Sequence, residues 1–148
     1  MSFIAGFLVA LASASLTWQI AARTVANLPT SLAGVLLLGL VAIAALVGFL
    51  AGSAVCRRAR RSREHLSLFG ALAFGVAGGI VGGTYAVAIT AAYMHTYSPW
   101  PQSAMDVILV ILAYPALGAL GFAVGSACAA VCGLCAAGLL GFAAPARR

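Results

Sequence analysis

Arg57-Arg58-Ala59-Arg60-Arg61-Ser62-Arg63-Glu64 is the stretch that decides the fold, because it holds six of the ten charged residues in the chain. Long apolar stretches with almost no charge lie on both sides of it. A charged side chain at the centre of a bilayer costs roughly 2.5 to 3.5 kcal/mol on insertion scales, so this segment must lie in water. A charged segment between long apolar stretches is typical of a polytopic membrane protein.

The composition indicates the same class of protein. Of the 148 residues, 64% are hydrophobic and 7% are charged, and the mean hydropathy is +1.14. Soluble domains carry about 25% charged residues. At ~20 residues per crossing, the chain has room for four spans and short connections. We therefore predict an all-α, polytopic integral membrane protein with four transmembrane helices arranged as two tandem hairpins.

The positions of the charges and helix breakers divide the chain into four segments. We expect a first transmembrane hairpin at 1–56, a basic cytoplasmic loop at 57–65, a second hairpin at 66–144 with a long last helix, and a basic cytoplasmic tail at 145–148.

The last apolar stretch, residues 104–144, is too long for a single membrane crossing. As one helix it would be about 60 Å long, twice the hydrocarbon thickness. Pro115 is expected to kink it, and the alternative is a fifth crossing formed by residues 131–144. Ser103 and Asp106 have the spacing of a capping box, which predicts the start of this helix.

The arginines predict the orientation. All of the basic side chains that give the net charge of +6 are arginines, eight against two acidic residues, and basic segments stay in the cytoplasm. Both termini are therefore expected there, in a multi-pass protein of a cell membrane that we take to be a bacterial inner (cytoplasmic) membrane. We expect no nucleic-acid partner, because no folded aqueous surface could present the charge. The arginines assigned to topology and to anionic lipid headgroups are Arg57, Arg58, Arg60, Arg61, Arg63, Arg147 and Arg148.

The two predicted hairpins share short matching blocks. Phe7-x-Val9-Ala10 matches Phe74-x-Val76-Ala77, and Gly48-Phe49-x-x-Gly52-Ser53 matches Gly121-Phe122-x-x-Gly125-Ser126. The number of residues that separates the two members of a match is six larger for the second match than for the first. The turn between the helices would therefore be six residues longer in the second hairpin. We interpret the matches as a parallel internal repeat of a two-helix unit.

Glycines recur every four residues along several of the predicted helices. Such small-xxx-small spacing lets helix backbones approach closely in a bilayer, where apolar burial alone gives little attraction. The partner helix could belong to the same chain or to another copy. The predicted packing residues are Gly48, Gly52, Gly75, Gly78, Gly79, Gly82, Gly83, Gly121 and Gly125.

No catalytic, metal or cofactor site is predicted. Cys128, Cys132 and Cys135 share one helical face, but an apolar helix without basic neighbours is a poor cluster or metal site, so we interpret them as small hydrophobic fillers. His65 and His95 lie toward opposite ends of one span and cannot bind the same ion. The spans contain no paired carboxylates and no lysine.

Two functional hypotheses follow. In the first, the protein is not an enzyme but a packing or assembly subunit, whose partners are the lipid bilayer and either copies of itself or other membrane proteins. In the second, it is a channel, a holin-like pore or a transporter component with hydroxyl side chains along a narrow path. The candidate path residues are Thr17, Ser53, Thr84, Thr90 and Ser126. The first is preferred because polar side chains are few and no ion-selective ring is evident.

Overall fold

Four helices account for nearly all of the chain that the structure describes. The computed structural model describes residues 2–61, 65–97 and 103–143. The helices are α1 (Ser2–Val25), α2 (Thr30–Arg61), α3 (Leu66–Tyr97) and α4 (Ala104–Ala143). All four are long and apolar enough to cross a membrane. The prediction of an all-α protein with four membrane-length helices is confirmed, and the described ranges contain no strand.

The structure differs from the predicted basic loop at 57–65, because α2 continues to Arg61. A helix of 32 residues is about 48 Å long, well beyond the ~30 Å of the hydrocarbon core. Its last turns can therefore project into water, where arginine is a good helix former. The predicted loop residues 62–64 lie outside the described part of the chain.

The last helix runs without interruption through Pro115 to Ala143. Because the segment from residue 131 to Ala143 continues the same helix, it does not turn back to form a fifth crossing. The predicted capping box is confirmed: the Ser103 amide donates to Oδ2 of Asp106 at 3.1 Å, and the Asp106 amide donates to Oγ of Ser103 at 3.2 Å. This reciprocal pair satisfies two amides at the helix start.

Extensive contacts join consecutive helices: α1 with α2, α2 with α3, and α3 with α4. The contact between α3 and α4 is the largest, and α4 packs mainly against α3. In each contacting pair, residue numbers rise along one helix and fall along the facing helix, so consecutive helices are antiparallel. It follows that α1 and α3 are parallel, and each forms an antiparallel hairpin with the next helix. The tandem-hairpin arrangement predicted from the sequence is consistent with these contacts.

Two small clusters of buried side chains link the hairpins. One lies at the end of the bundle with the α1–α2 turn at 26–29, here called the turn end, and is built on Val25, Leu28 and Ala92. The other lies at the end with the basic last turns of α2, called the arginine end, and is built on Val55 and Leu66. The two hairpins are therefore packed together at both ends of the bundle.

Candidate functional site

The closest helix contact in the described structure is a backbone contact between α3 and α4. Gly78 lies opposite Gly125, and Gly82 lies opposite Gly121. A methyl group placed on any of these four glycines would come closer than 3.0 Å to a carbonyl oxygen of the facing glycine. Only glycine allows this approach, since the obstructing atoms belong to the backbone and cannot move aside like a flexible side chain.

The other predicted glycines of α3 lie in the same contact, but none of them meets the α4 backbone as closely. A methyl group on Gly75 would lie 3.5 Å from Cβ of Ala130, an ordinary contact distance, and one on Gly83 would lie 3.2 Å from the Gly118 carbonyl oxygen. A methyl group on Gly79 would meet side chains, Oγ of Ser126 and the Phe122 ring. The glycines of α3 form two rows, Gly75-Gly79-Gly83 and Gly78-Gly82, with the same four-residue spacing. Spacing alone therefore could not tell which row contacts the α4 backbone.

The first hairpin has a looser contact of the same kind. Gly48 lies against Ser13, whose Oγ donates to the Ala44 carbonyl of the neighbouring helix at 2.9 Å. Gly52 lies against the Val9 side chain. The structure therefore brings the predicted glycines of both hairpins into contacts within one chain. Sequence reasoning missed Ser13, because Ser15 and Thr17 lie close by and nothing in the sequence distinguishes Ser13 from them as the contact residue.

A shift of 73 residues relates the contacts of the two hairpins. Gly48 against Ser13 in the first hairpin corresponds to Gly121 against Ala86 in the second. The same shift relates Phe49 against Gly6 to Phe122 against Gly79, and Gly52 against Val9 to Gly125 against Gly82. Both helices of the first hairpin thus map onto the second with a single shift.

This shift corrects the alignment that the sequence favoured for the first helices. That alignment placed Phe7 on Phe74 and required six extra residues in the second turn, but the contacts place Gly6 on Gly79. The sequence alignment was wrong because it weighted identical residues equally on every face. Phe7 is 52% exposed, so its identity does not constrain the helix contact.

Three tyrosines of α3 fasten the second hairpin to the end of α1. The Tyr93 hydroxyl donates to the Thr24 carbonyl oxygen at 2.7 Å, and the Tyr97 hydroxyl donates to the Asn27 carbonyl oxygen. The Tyr85 hydroxyl is hydrogen-bonded to Oγ1 of Thr24. Thr24 is in the last turn of α1, where carbonyls have no partner within the helix, so the Tyr93 bond satisfies a group that would otherwise need water. Sequence reasoning did not identify these bonds.

The described arginines of the basic segment lie on the last turns of α2. The Arg58 guanidinium lies over the Phe69 ring, 5.9 Å from its centroid, and Nη2 of Arg57 is 3.5 Å from Oγ of Ser53. Both side chains are exposed, near the arginine end of the bundle. Arg60 and Arg61 belong to the same helix, whereas Arg63, Arg147 and Arg148 lie outside the described residues.

Cysteines and histidines do not converge on a site. Cys128, Cys132 and Cys135 are exposed along α4, and Cys56 is half-buried on α2. Within the described ranges, no three His, Cys, Asp or Glu side chains are placed to hold a metal ion.

The candidate path residues have varied surroundings. Ser53 Oγ donates to the Leu50 carbonyl at 3.0 Å and Thr84 Oγ1 to the Ile80 carbonyl at 2.8 Å, so both bond their own helix. Thr17 is buried and Thr90 is half-buried. Oγ of Ser126 is buried beside Gly79 and has no hydrogen-bond partner among the described residues.

Comparison with known proteins adds no relative. The chain matches no protein-family model, no curated protein and no solved structure.

Proposed function

We propose that this protein is a packing or assembly subunit of a bacterial cytoplasmic membrane, without catalysis of its own, which forms a homo-oligomer or joins a larger membrane complex. The observation that carries the proposal is the open surface of α4. Every described residue from Met105 to Cys132 is at least partly exposed. In α2, by contrast, a comparable stretch buries Leu40, Ala44, Gly48 and Val55.

The close glycine contacts support the same proposal by making each hairpin a compact unit. In a bilayer, helix association depends on dispersion and close backbone approach, because lipid chains are as apolar as leucine. The α3–α4 contact uses its glycines within the chain, so α4 is held firmly by one side only. A rigid pair with a free outer surface suits a component that other helices pack against.

The basic residues fit a subunit held in one orientation. We propose that the arginine end and both termini are cytoplasmic, and that Arg57 and Arg58 contact anionic headgroups there. Each basic residue near such a surface contributes about 1 kcal/mol of attraction.

The alternative is a channel, a holin-like pore or a transporter component, and one observation favours it. Oγ of Ser126 has no partner in the described part of the chain, and it is the kind of polar atom that water or an ion could contact. Against this, the Ser53 and Thr84 hydroxyls bond their own helices, and Ser126 lies in the tight contact with Gly79 rather than along an open passage.

Native mass spectrometry of gently solubilised protein, paired with flux measurements on liposomes that contain the purified protein alone, tests the proposal. The expected result is a defined oligomer, or a complex with a second protein, and no ion flux above that of empty liposomes. A monomer that conducts ions would overturn the proposal in favour of the channel.

A further inference from the structure

The shift of 73 residues identifies which surface of α4 lacks a neighbour. In the first hairpin, α2 contacts α1 on one side and α3 on the other. The second contact includes Leu32 and Leu36 in the turn-end cluster and Val55 and Ala59 in the arginine-end cluster. In the second hairpin, α4 has the counterpart of the first contact but not of the second, because the chain provides no fifth helix in the described ranges.

The counterparts of these α2 residues on α4 are all exposed. Met105 corresponds to Leu32 and is 67% exposed, and Leu109 corresponds to Leu36 and is 59% exposed. Val55 is 2% exposed, whereas its counterpart Cys128 is exposed, as is Cys132, the counterpart of Ala59. This side of α4 therefore corresponds to the side of α2 that α3 covers.

By the same shift, the surface of α3 that packs against α2 corresponds to a surface of α1. Ile89, Ala92 and Tyr93 of α3 contribute to the turn-end cluster. The equivalent residues of α1 are Leu16, Gln19 and Ile20, all exposed. Gln19 replaces the buried Ala92 at the centre of this surface, and its amide has no hydrogen-bond partner among the described residues. An amide that lies in hydrocarbon without a partner is costly, so a protein neighbour that pairs with Gln19 would stabilise this surface within a membrane.

We propose that α4 of one copy binds α1 of a second copy, in the same membrane orientation, and reproduces the contact between α2 and α3. This inference rests on the proposed assembly function and names the partner as a second copy of the chain. Because α4 of one copy binds α1 of the next, the two contacting surfaces differ and the interface is heterologous.

Disulfide cross-linking tests this geometry in membranes. All four native cysteines are replaced with alanine, and two differently tagged chains are co-expressed, one with Ile20→Cys and one with Leu109→Cys. Oxidation should join the two tags, because thiols cross-link only when their backbones come within about 7 Å.

Ile111→Cys is the matched control. Ile111 is 63% exposed, close to Leu109, but it lies on the opposite side of α4, and its counterpart Leu38 is 67% exposed although α2 has neighbours on two sides. The Ile20/Leu109 combination should cross-link severalfold more than Ile20/Ile111. An intrachain Ser13→Cys/Ala44→Cys pair, at an established contact, shows that oxidation works inside the membrane.

The outcomes separate this inference from the assembly proposal. An oligomer in native mass spectrometry that cross-links no better through Leu109 than through Ile111 would overturn the α4–α1 contact and leave assembly standing. A complex with an unrelated protein, but no contact between copies, would also overturn it. A monomer without partners would refute both.

Discussion

At the scale of single residues, a glycine matters according to what faces it rather than according to its spacing. Gly75 and Gly82 belong to the same helix and both fit four-residue rows. The three atoms nearest to a methyl group on Gly82 would all belong to the backbone of α4, including the Gly121 carbonyl, while a methyl group on Gly75 would find ordinary contact distances. The two positions therefore form a matched pair.

Gly82→Ala is expected to weaken the α3–α4 pair, and Gly75→Ala is not. Overpacking a tight contact costs about 1 to 3 kcal/mol, while replacing glycine with alanine inside a helix stabilises it by about 1 kcal/mol in both variants. Unfolding in mixed detergent micelles should show net destabilisation for Gly82→Ala and unchanged or higher stability for Gly75→Ala. Equal effects would mean that backbone contact is not what holds this pair.

Ser53 and Ser126 occupy equivalent positions and allow a second matched comparison. Ser53 donates to the Leu50 carbonyl and lies near Arg57, whereas Oγ of Ser126 is buried without a partner among the described residues. Losing a hydrogen bond costs about 0.5 to 1.5 kcal/mol, but removing an unsatisfied buried group costs nothing. Ser53→Ala should therefore lower stability in the same unfolding assay, and Ser126→Ala should not. Destabilisation by Ser126→Ala alone would show that its hydroxyl has a partner such as bound water.

At the scale of helices, the turn end joins the two hairpins through hydrogen bonds as well as apolar packing. Tyr93→Phe removes the hydroxyl bonded to the Thr24 carbonyl and should destabilise the protein by about 0.5 to 1.5 kcal/mol. Amide hydrogen exchange near Val25 should rise at the same time, because the end of α1 loses its partner.

Tyr114→Phe is the control for this change. Among the described residues, Met94 Sδ is the one hydrogen-bond partner of the Tyr114 hydroxyl, at 3.9 Å, and thioether sulfur is a weak acceptor. This variant should leave both stability and exchange near Val25 close to wild type. If both tyrosine variants behave alike, the bond to Thr24 does not hold the hairpins together.

The helices could be predicted from the sequence because bilayer physics acts on long stretches. Hydrophobic length fixed the number of spans, and the Ser103–Asp106 spacing located the start of α4. The end of α2 could not be predicted from hydropathy, since a helix that leaves the membrane keeps its backbone bonds in water. Charge marks where the chain meets water and not where the helix stops.

Helix facing was harder to predict than helix length. Nearly every face of these helices is apolar, so no stripe distinguishes the packed side, and Gly75 and Gly78 are equivalent in pattern. Only the facing helix separates them. The shift of 73 residues between the hairpins was hard to find for the same reason. Exposed residues such as Phe7 have identical counterparts simply because the chain is rich in apolar residues, whereas Gly6 and Gly79 contribute only one identical pair to the correct alignment.

At the scale of the whole molecule, orientation depends on where the arginines meet the two sides of the membrane. Arg57 and Arg58 lie at the arginine end, and the turn at 26–29 lies at the opposite end of α2. Arg23 is the arginine nearest that turn. Because positive charge in short loops resists translocation, this asymmetry favours an arginine end in the cytoplasm and a turn end outside.

Single-cysteine labelling in an otherwise cysteine-free protein measures this orientation. Asn27 and His65 are exposed residues at opposite ends of the bundle, and the Tyr97 bond at Asn27 uses the backbone carbonyl, so the Asn27 side chain can be replaced without losing it. A membrane-impermeant maleimide added to intact cells should label Asn27→Cys and leave His65→Cys unlabelled until the membrane is permeabilised. Labelling of His65→Cys in intact cells would invert the orientation, because five closely spaced arginines would then have crossed the membrane while Arg23 stayed behind.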